Sequence, residues 1–155
     1  MDLKPRDTFI QSGETAPDFV LKDQCKAEWR LSDALKKGDV VLCFYPFDFS
    51  PVCSTEMKCA NDELSKWAAK GAQVVGISCD SFFVHEAWAR SLGLKQTLLA
   101  DLKREVCKAY GLYWADLNVS QRGTVVIGRN GKVKWSQRRE AKDAMKIEEV
   151  LAQVG

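Results

Sequence analysis

The chain has 155 residues, 46% of them hydrophobic, and a formal net charge of +2. That length suits one domain with a sizeable core and is short for two, so residues 1–155 read as a single domain. The small net charge gives no reason to expect nucleic acid. No apolar run approaches membrane-spanning length, and the stretch 1–7 has no signal-peptide core, so a cytoplasmic, reducing location is expected.

In chain order, residues 19–22 and 29–31 read as short strands around a polar turn. Ser32 can cap a short helix that ends at Gly38. Residues 39–45 form a continuous apolar run of strand length, as a buried central strand does. Residues 51–70 carry helical spacing at Met57, Ala60, Leu64, Trp67 and Ala68, and Gly71 closes them as a C′ glycine. A second buried strand spans 73–78. Asp80 or Ser81 caps a helix through Leu92, which Gly93 ends. Residues 98–100 are a short extended piece, and 103–110 are helical before Gly111. Strands at 124–127 and 132–135 flank Arg129-Asn130-Gly131, and Asn-Gly is a strong hairpin signal. Arg138-Arg139 reads as a solvated hairpin edge. An amphipathic helix at 143–154 closes the chain. Strands alternating with helices, then a hairpin and a helix, give an α/β domain; this order suits a thioredoxin-like fold with an N-terminal extension.

Six cysteines (Cys25, Cys43, Cys53, Cys59, Cys79 and Cys107) are scattered through these elements. No Cys-x-x-Cys pair occurs and His85 is the only histidine, so neither a metal site nor a bound cofactor is read. Cys53 is the most informative of the six. An apolar strand stops at Pro46, a short aromatic loop follows, and Ser50 and Pro51 suit the N-cap and first position of a helix. Cys53 then falls in the first turn. It faces free backbone N–H groups and the positive end of the helix dipole, which favour the reactive thiolate.

The spacing Pro46-x-x-x-Ser50-x-x-Cys53 resembles the active-site signature of the peroxiredoxin family. Gly13-Glu14-Thr15-Ala16-Pro17-Asp18-Phe19 is similar to its opening segment. Gly76-Ile77-Ser78-Cys79-Asp80-Ser81, with His85 and Trp88, is similar to its middle strand and helix. Arg122-Gly123-Thr124-Val125-Val126-Ile127 resembles the strand that carries its arginine. The resemblance covers about residues 9 to 150. It implies a thioredoxin-like fold with an N-terminal extension, a mixed central sheet and flanking helices. It also implies a thiol peroxidase that reduces hydrogen peroxide or organic hydroperoxides. Cys53 matches the peroxidatic cysteine, which becomes a sulfenic acid. Arg122 matches the arginine that stabilises thiolate and transition state, Ser50 the hydroxyl that bonds the peroxide, and Pro46 the residue that shields the sulfur. Glu56 matches a position that helps orient the arginine, and His85 a structural position away from the sulfur. The partners implied are a peroxide, a thiol reductant (thioredoxin, glutaredoxin or a low-molecular-weight thiol) and a second copy in a homodimer. The alternative is a redox sensor that passes oxidation of Cys53 to a partner protein.

No cysteine follows Cys107, so a C-terminal resolving residue is not expected. Bacterioferritin-comigratory-type relatives resolve with a cysteine five positions after the peroxidatic one; Cys59 lies six after Cys53. Six helical steps turn about 600° and rise about 9 Å, beyond disulfide range without local unwinding. A one-cysteine mechanism is the expectation, with Cys59 the first alternative and Cys25, Cys107 or an intermolecular pair behind it.

Overall fold

The computed structural model describes residues 3–155; Met1 and Asp2, part of the stretch inspected for a signal peptide, lie outside the described residues. The first half runs β1 (Val20–Asp23), β2 (Glu28–Arg30), α1 (Leu31–Leu35), β3 (Asp39–Phe44), α2 (Pro51–Asp62), α3 (Leu64–Ala69) and β4 (Ala72–Ser78). The second half runs α4 (Phe82–Leu92), β5 (Thr97–Ala100), α5 (Glu105–Ala109), β6 (Tyr113–Trp114), β7 (Val119–Ser120), β8 (Arg122–Ile127), β9 (Val133–Arg139) and α6 (Ile147–Leu151). Seven strands form one mixed sheet in the order β2-β1-β5-β4-β3-β8-β9, while β6 and β7 pair as a separate ribbon. The α/β sheet flanked by helices is the fold expected from the sequence.

β3 and β8 are buried along their whole length and pair antiparallel, with Phe44 opposite Gly123. Side chains alternate across a strand. Leu42, Phe44, Val125 and Ile127 therefore join one core with Ile10, Val106 and Tyr110. Val41, Cys43, Tyr45 and Val126 join the other, with Cys53 and Met57 of α2, Trp67 of α3 and Trp88 of α4. The even positions of β8, Arg122 included, thus share a face with α2.

Several elements differ from the sequence reading. The helix expected over 51–70 breaks at Glu63 (φ −105°, ψ 19°). There the buried Trp67 indole donates to the Ala60 carbonyl (3.1 Å), the acceptor that a continuing helix would offer to Leu64. Ser32 lies inside α1 rather than capping it, and its N–H and hydroxyl both donate to Asp18. β9 runs on to Arg139, and the final helix shortens to five residues. The β6–β7 ribbon carried no sequence signal. Ser81 caps α4 through Val84 N–H (3.2 Å), and Gly93 ends it in the left-handed region (φ 67°), both as expected. No helix among the described residues is long and apolar enough to cross a membrane.

Gly111 (φ +75°) turns the chain after α5 directly beneath the N-terminal extension, where Ile10 N–H donates to Tyr110 O (3.1 Å). A Cβ there would lie 2.0 Å from Thr8 O. Gly111→Ala combines a left-handed penalty with a backbone clash, and a loss of roughly 2–4 kcal/mol is expected. A urea melt checks it; an unchanged midpoint would refute the close approach.

Candidate active site

The site is built where β3 hands the chain to α2. Tyr45 N–H still donates to Ile77 O (3.0 Å), and Pro46 is buried immediately after it. Ser50 is extended (φ −73°, ψ 149°) and Pro51 opens α2, so Cys53 is the third helical residue, 1% exposed. The first helical bond is Ser54 N–H to Ser50 O (2.9 Å), which leaves the N–H groups of Val52 and Cys53 ahead of the ladder. Ser50 holds the N-cap position but does not cap with its side chain: its hydroxyl donates to Phe47 O (2.9 Å).

Arg122 opens β8 on the face that α2 covers. Its Nη2 donates to Cys53 Sγ (3.0 Å), its Nη1 to Glu56 Oε1 (2.8 Å) and its Nε to Ala141 O (3.1 Å). Burial works against the guanidinium charge, but Glu56 and Cys53 outweigh it and hold Arg122 above its ordinary range. Glu56 is one helical turn from Cys53 and is itself 1% exposed. Its second oxygen accepts from Arg139 Nη2 (3.2 Å) and from Met145 N–H (2.7 Å).

Arg139 is the residue that sequence reasoning missed. It is not at a solvated edge: its side chain is 9% exposed, stands opposite Arg122 in the β8–β9 register, and also donates to Thr124 Oγ1 (2.9 Å). The signal was available in the hairpin. A β8 that starts at Arg122 needs a partner strand that reaches Arg139. The shortened final helix has the same origin, because Glu56 takes Met145 N–H and Lys146 stays extended (φ −91°, ψ 109°). Two guanidiniums face one carboxylate here, so the pocket holds one uncompensated positive charge beside the Cys53 sulfur.

A second buried network shapes the loop before Cys53. Asp48 accepts from Tyr45 OH (2.7 Å), and its Oδ2 lies 2.6 Å from His85 Nδ1. The Leu99 carbonyl, 3.0 Å from His85 Nε2, can only accept, so Nε2 carries a proton. Burial pushes the Asp48 carboxyl up against the pull of His85 and Tyr45. Asp48 N–H donates to Asp80 Oδ2 (2.9 Å). His85 therefore has both nitrogens engaged and does not reach the sulfur. Within this loop Phe49 adopts φ +66° and stays exposed.

All six cysteines are free; Cys25 and Cys59 are exposed, and Cys43, Cys53, Cys79 and Cys107 are buried. α2 is unbroken from Cys53 to Cys59, and the two residues sit on its buried and exposed sides. Cys107 packs on the other face of the sheet from Cys53.

Removing Glu56 would strand two buried guanidiniums. Glu56→Ala should cost about 3–5 kcal/mol in urea unfolding, while Glu56→Gln, which keeps an acceptor oxygen, should cost less. If Glu56→Ala unfolds like the parent protein, the carboxylate does not hold this pocket together.

Residues 12–136 match the family described as AhpC/TSA. The chain is 35% identical over 152 residues to the 2-cysteine peroxiredoxin, chloroplastic, of Chattonella marina var. antiqua, covering 92% of this chain and 77% of that protein. It is 32% identical over 151 residues to alkyl hydroperoxide reductase C of Buchnera aphidicola, covering 90% and 76%. Its structure superposes on peroxidoxin BcpB of Mycobacterium tuberculosis with a TM-score of 0.85 at 30% identity, over 93% of this chain and 96% of that one. The chain belongs to the AhpC/TSA family and is a peroxiredoxin, a thiol-dependent peroxidase.

Proposed function

We propose that Cys53 is the peroxidatic residue and that Arg122 sets its reactivity. The observation that carries this is the 3.0 Å contact between Arg122 Nη2 and Cys53 Sγ inside a pocket with surplus positive charge. The thiolate attacks the terminal peroxide oxygen in line. The O–O bond breaks, the sulfur keeps one oxygen as sulfenic acid, and the other leaves as alkoxide or hydroxide and takes a proton. Arg122 is a fixed donor fork next to the charge that moves. The N–H groups of Val52 and Cys53 are unspent donors for the peroxide oxygens. Ser50 gives its proton to Phe47 O, and its hydroxyl oxygen remains as an acceptor for a hydroperoxide proton. Pro46 fills space at the strand end and keeps water from the sulfur. Glu56 and Arg139 are positioning residues that hold Arg122.

The sulfenic acid is reduced by an external thiol, a small one or that of a thioredoxin or glutaredoxin. The unbroken α2 and the exposed, outward Cys59 favour this one-cysteine route. A homodimer fits the exposed rings of Phe47 and Phe49 beside the site, which are 39% and 55% exposed. A reducing cytoplasm suits six free thiols.

Cys53→Ser should abolish peroxide consumption in a coupled assay. Arg122→Ala should slow single-turnover oxidation on the order of 100-fold; activity that survives Cys53→Ser, or unaltered kinetics in Arg122→Ala, sinks the assignment. Cys59→Ser should leave oxidation and thiol-driven turnover nearly intact. A Cys53–Cys59 disulfide peptide in high yield after one equivalent of peroxide would instead establish a two-cysteine route.

A further inference from the structure

The core on the face of the sheet away from Cys53 contains two thiols in contact. Cys79 follows the last residue of β4, Cys107 lies in α5, and their sulfurs are 4.0 Å apart although the residues are 28 positions apart in sequence. Both are free. A disulfide requires about 2 Å between sulfurs, so side-chain rotation has about 2 Å to close. The hydrogen bonding is compatible with this. The Cys107 thiol lies 3.4 Å from Arg104 O and can donate its proton there, leaving a sulfur lone pair for Cys79. Cys107 is fully buried, whereas Cys79 keeps 5% of its surface open.

We propose that Cys79 and Cys107 are a second redox-active pair, which closes to an internal disulfide when peroxide exceeds what Cys53 consumes. Cys79, the less buried of the two, takes the first step. Its sulfur attacks a peroxide oxygen, the O–O bond breaks, and the thiol proton leaves with the departing oxygen as water or an alcohol. Cys79 is then a sulfenic acid. The Cys107 sulfur displaces its hydroxyl, the S–S bond forms, and the Cys107 proton leaves with that hydroxyl as water. Overall, two thiols are oxidised by two electrons and one peroxide is reduced. The thiol contact with Cys79, then burial, then nearby Asp101 hold the Cys107 thiol well above its ordinary range, so it enters the second step protonated and gives up its proton only as the S–S bond forms.

A divalent metal on the same residues is a poorer fit. Asp101 has an oxygen within 4.8 Å of both sulfurs, but its two oxygens already accept from Val106 and Cys107 N–H (3.2 and 2.8 Å). Two thiolates and a carboxylate around one such ion would also leave net negative charge in an apolar core. A disulfide adds no charge. Cys79 adjoins Asp80, which holds Asp48 N–H of the active-site loop, so the bond would anchor the residue next to a support of that loop.

The test uses Cys53→Ser, so that the pair is examined independently of peroxidatic chemistry. The full chain is treated with excess hydrogen peroxide, alkylated under denaturing conditions and mapped without reduction. The expected product is a peptide pair linked through Cys79 and Cys107, with an intact mass two hydrogens lower, reversed by dithiothreitol. Cys79→Ala and, separately, Cys107→Ala in that background should each abolish it. Unchanged chain should form it only after Cys53 is fully oxidised. Oxidised Cys53→Ser should also melt higher than its reduced form, a shift lost in Cys53→Ser/Cys79→Ala. Recovery of both residues as alkylated thiols under peroxide that exhausts Cys53 in unchanged chain would overturn the proposal. So would linkage of either residue only to another cysteine.

Discussion

The carboxylate of Glu56 is the point on which the site depends. A buried charge is tolerable only where it is paired and hydrogen-bonded. Glu56 accepts from Arg122, Arg139 and Met145 N–H, drawing on β8, β9 and the segment before α6. It belongs to α2, which also carries Cys53. One side chain thus fixes the reactive helix to two strands and to the C-terminal segment. Because it offers one negative charge to two cations, the same group that holds the pocket together leaves it electropositive. Structure and reactivity share a single imbalance.

The Asp48 network complements this from the other side. Tyr45, His85 and Asp80 converge on one aspartate and on its backbone N–H. Their bonds offset the left-handed backbone of Phe49, which costs on the order of 1–2 kcal/mol for a residue with a Cβ. The loop that presents Ser50 and Pro51 to α2 is therefore held by buried polar bonds as well as by the packing of Tyr45 and Phe49 on Trp88. Such bonds impose direction as well as proximity.

Much of this was legible in the sequence where local rules govern. Pro46, Ser50 and Pro51 announce a strand stop and a helix start, and Cys53 follows by counting. Ser81 and Gly93 bracket α4 because capping is a local matter. Arg122 became readable only through the family signature. Arg139 was misread because a basic dipeptide on a hairpin edge looks solvated until the strand register is known. The break at Glu63 was hidden for a related reason: the Trp67 indole competes for the Ala60 carbonyl, and helical spacing does not record which acceptor a side chain takes. The final helix was overextended because the acceptor of Met145 N–H sits 89 positions away in the chain. Specific polar bonds, local for Trp67 and distant for Arg139 and Met145, account for these differences rather than hydrophobic pattern.

The burial of Cys53 under the first turn of α2 makes the pocket a molecular sieve. With 1% of the residue exposed, the sulfur offers little surface to anything broad, and the slenderest reactant has the least to displace. The same narrow approach confronts any thiol that would reach this sulfur, so the first turn of α2 is a barrier to large partners as well as the support of the side chain it buries.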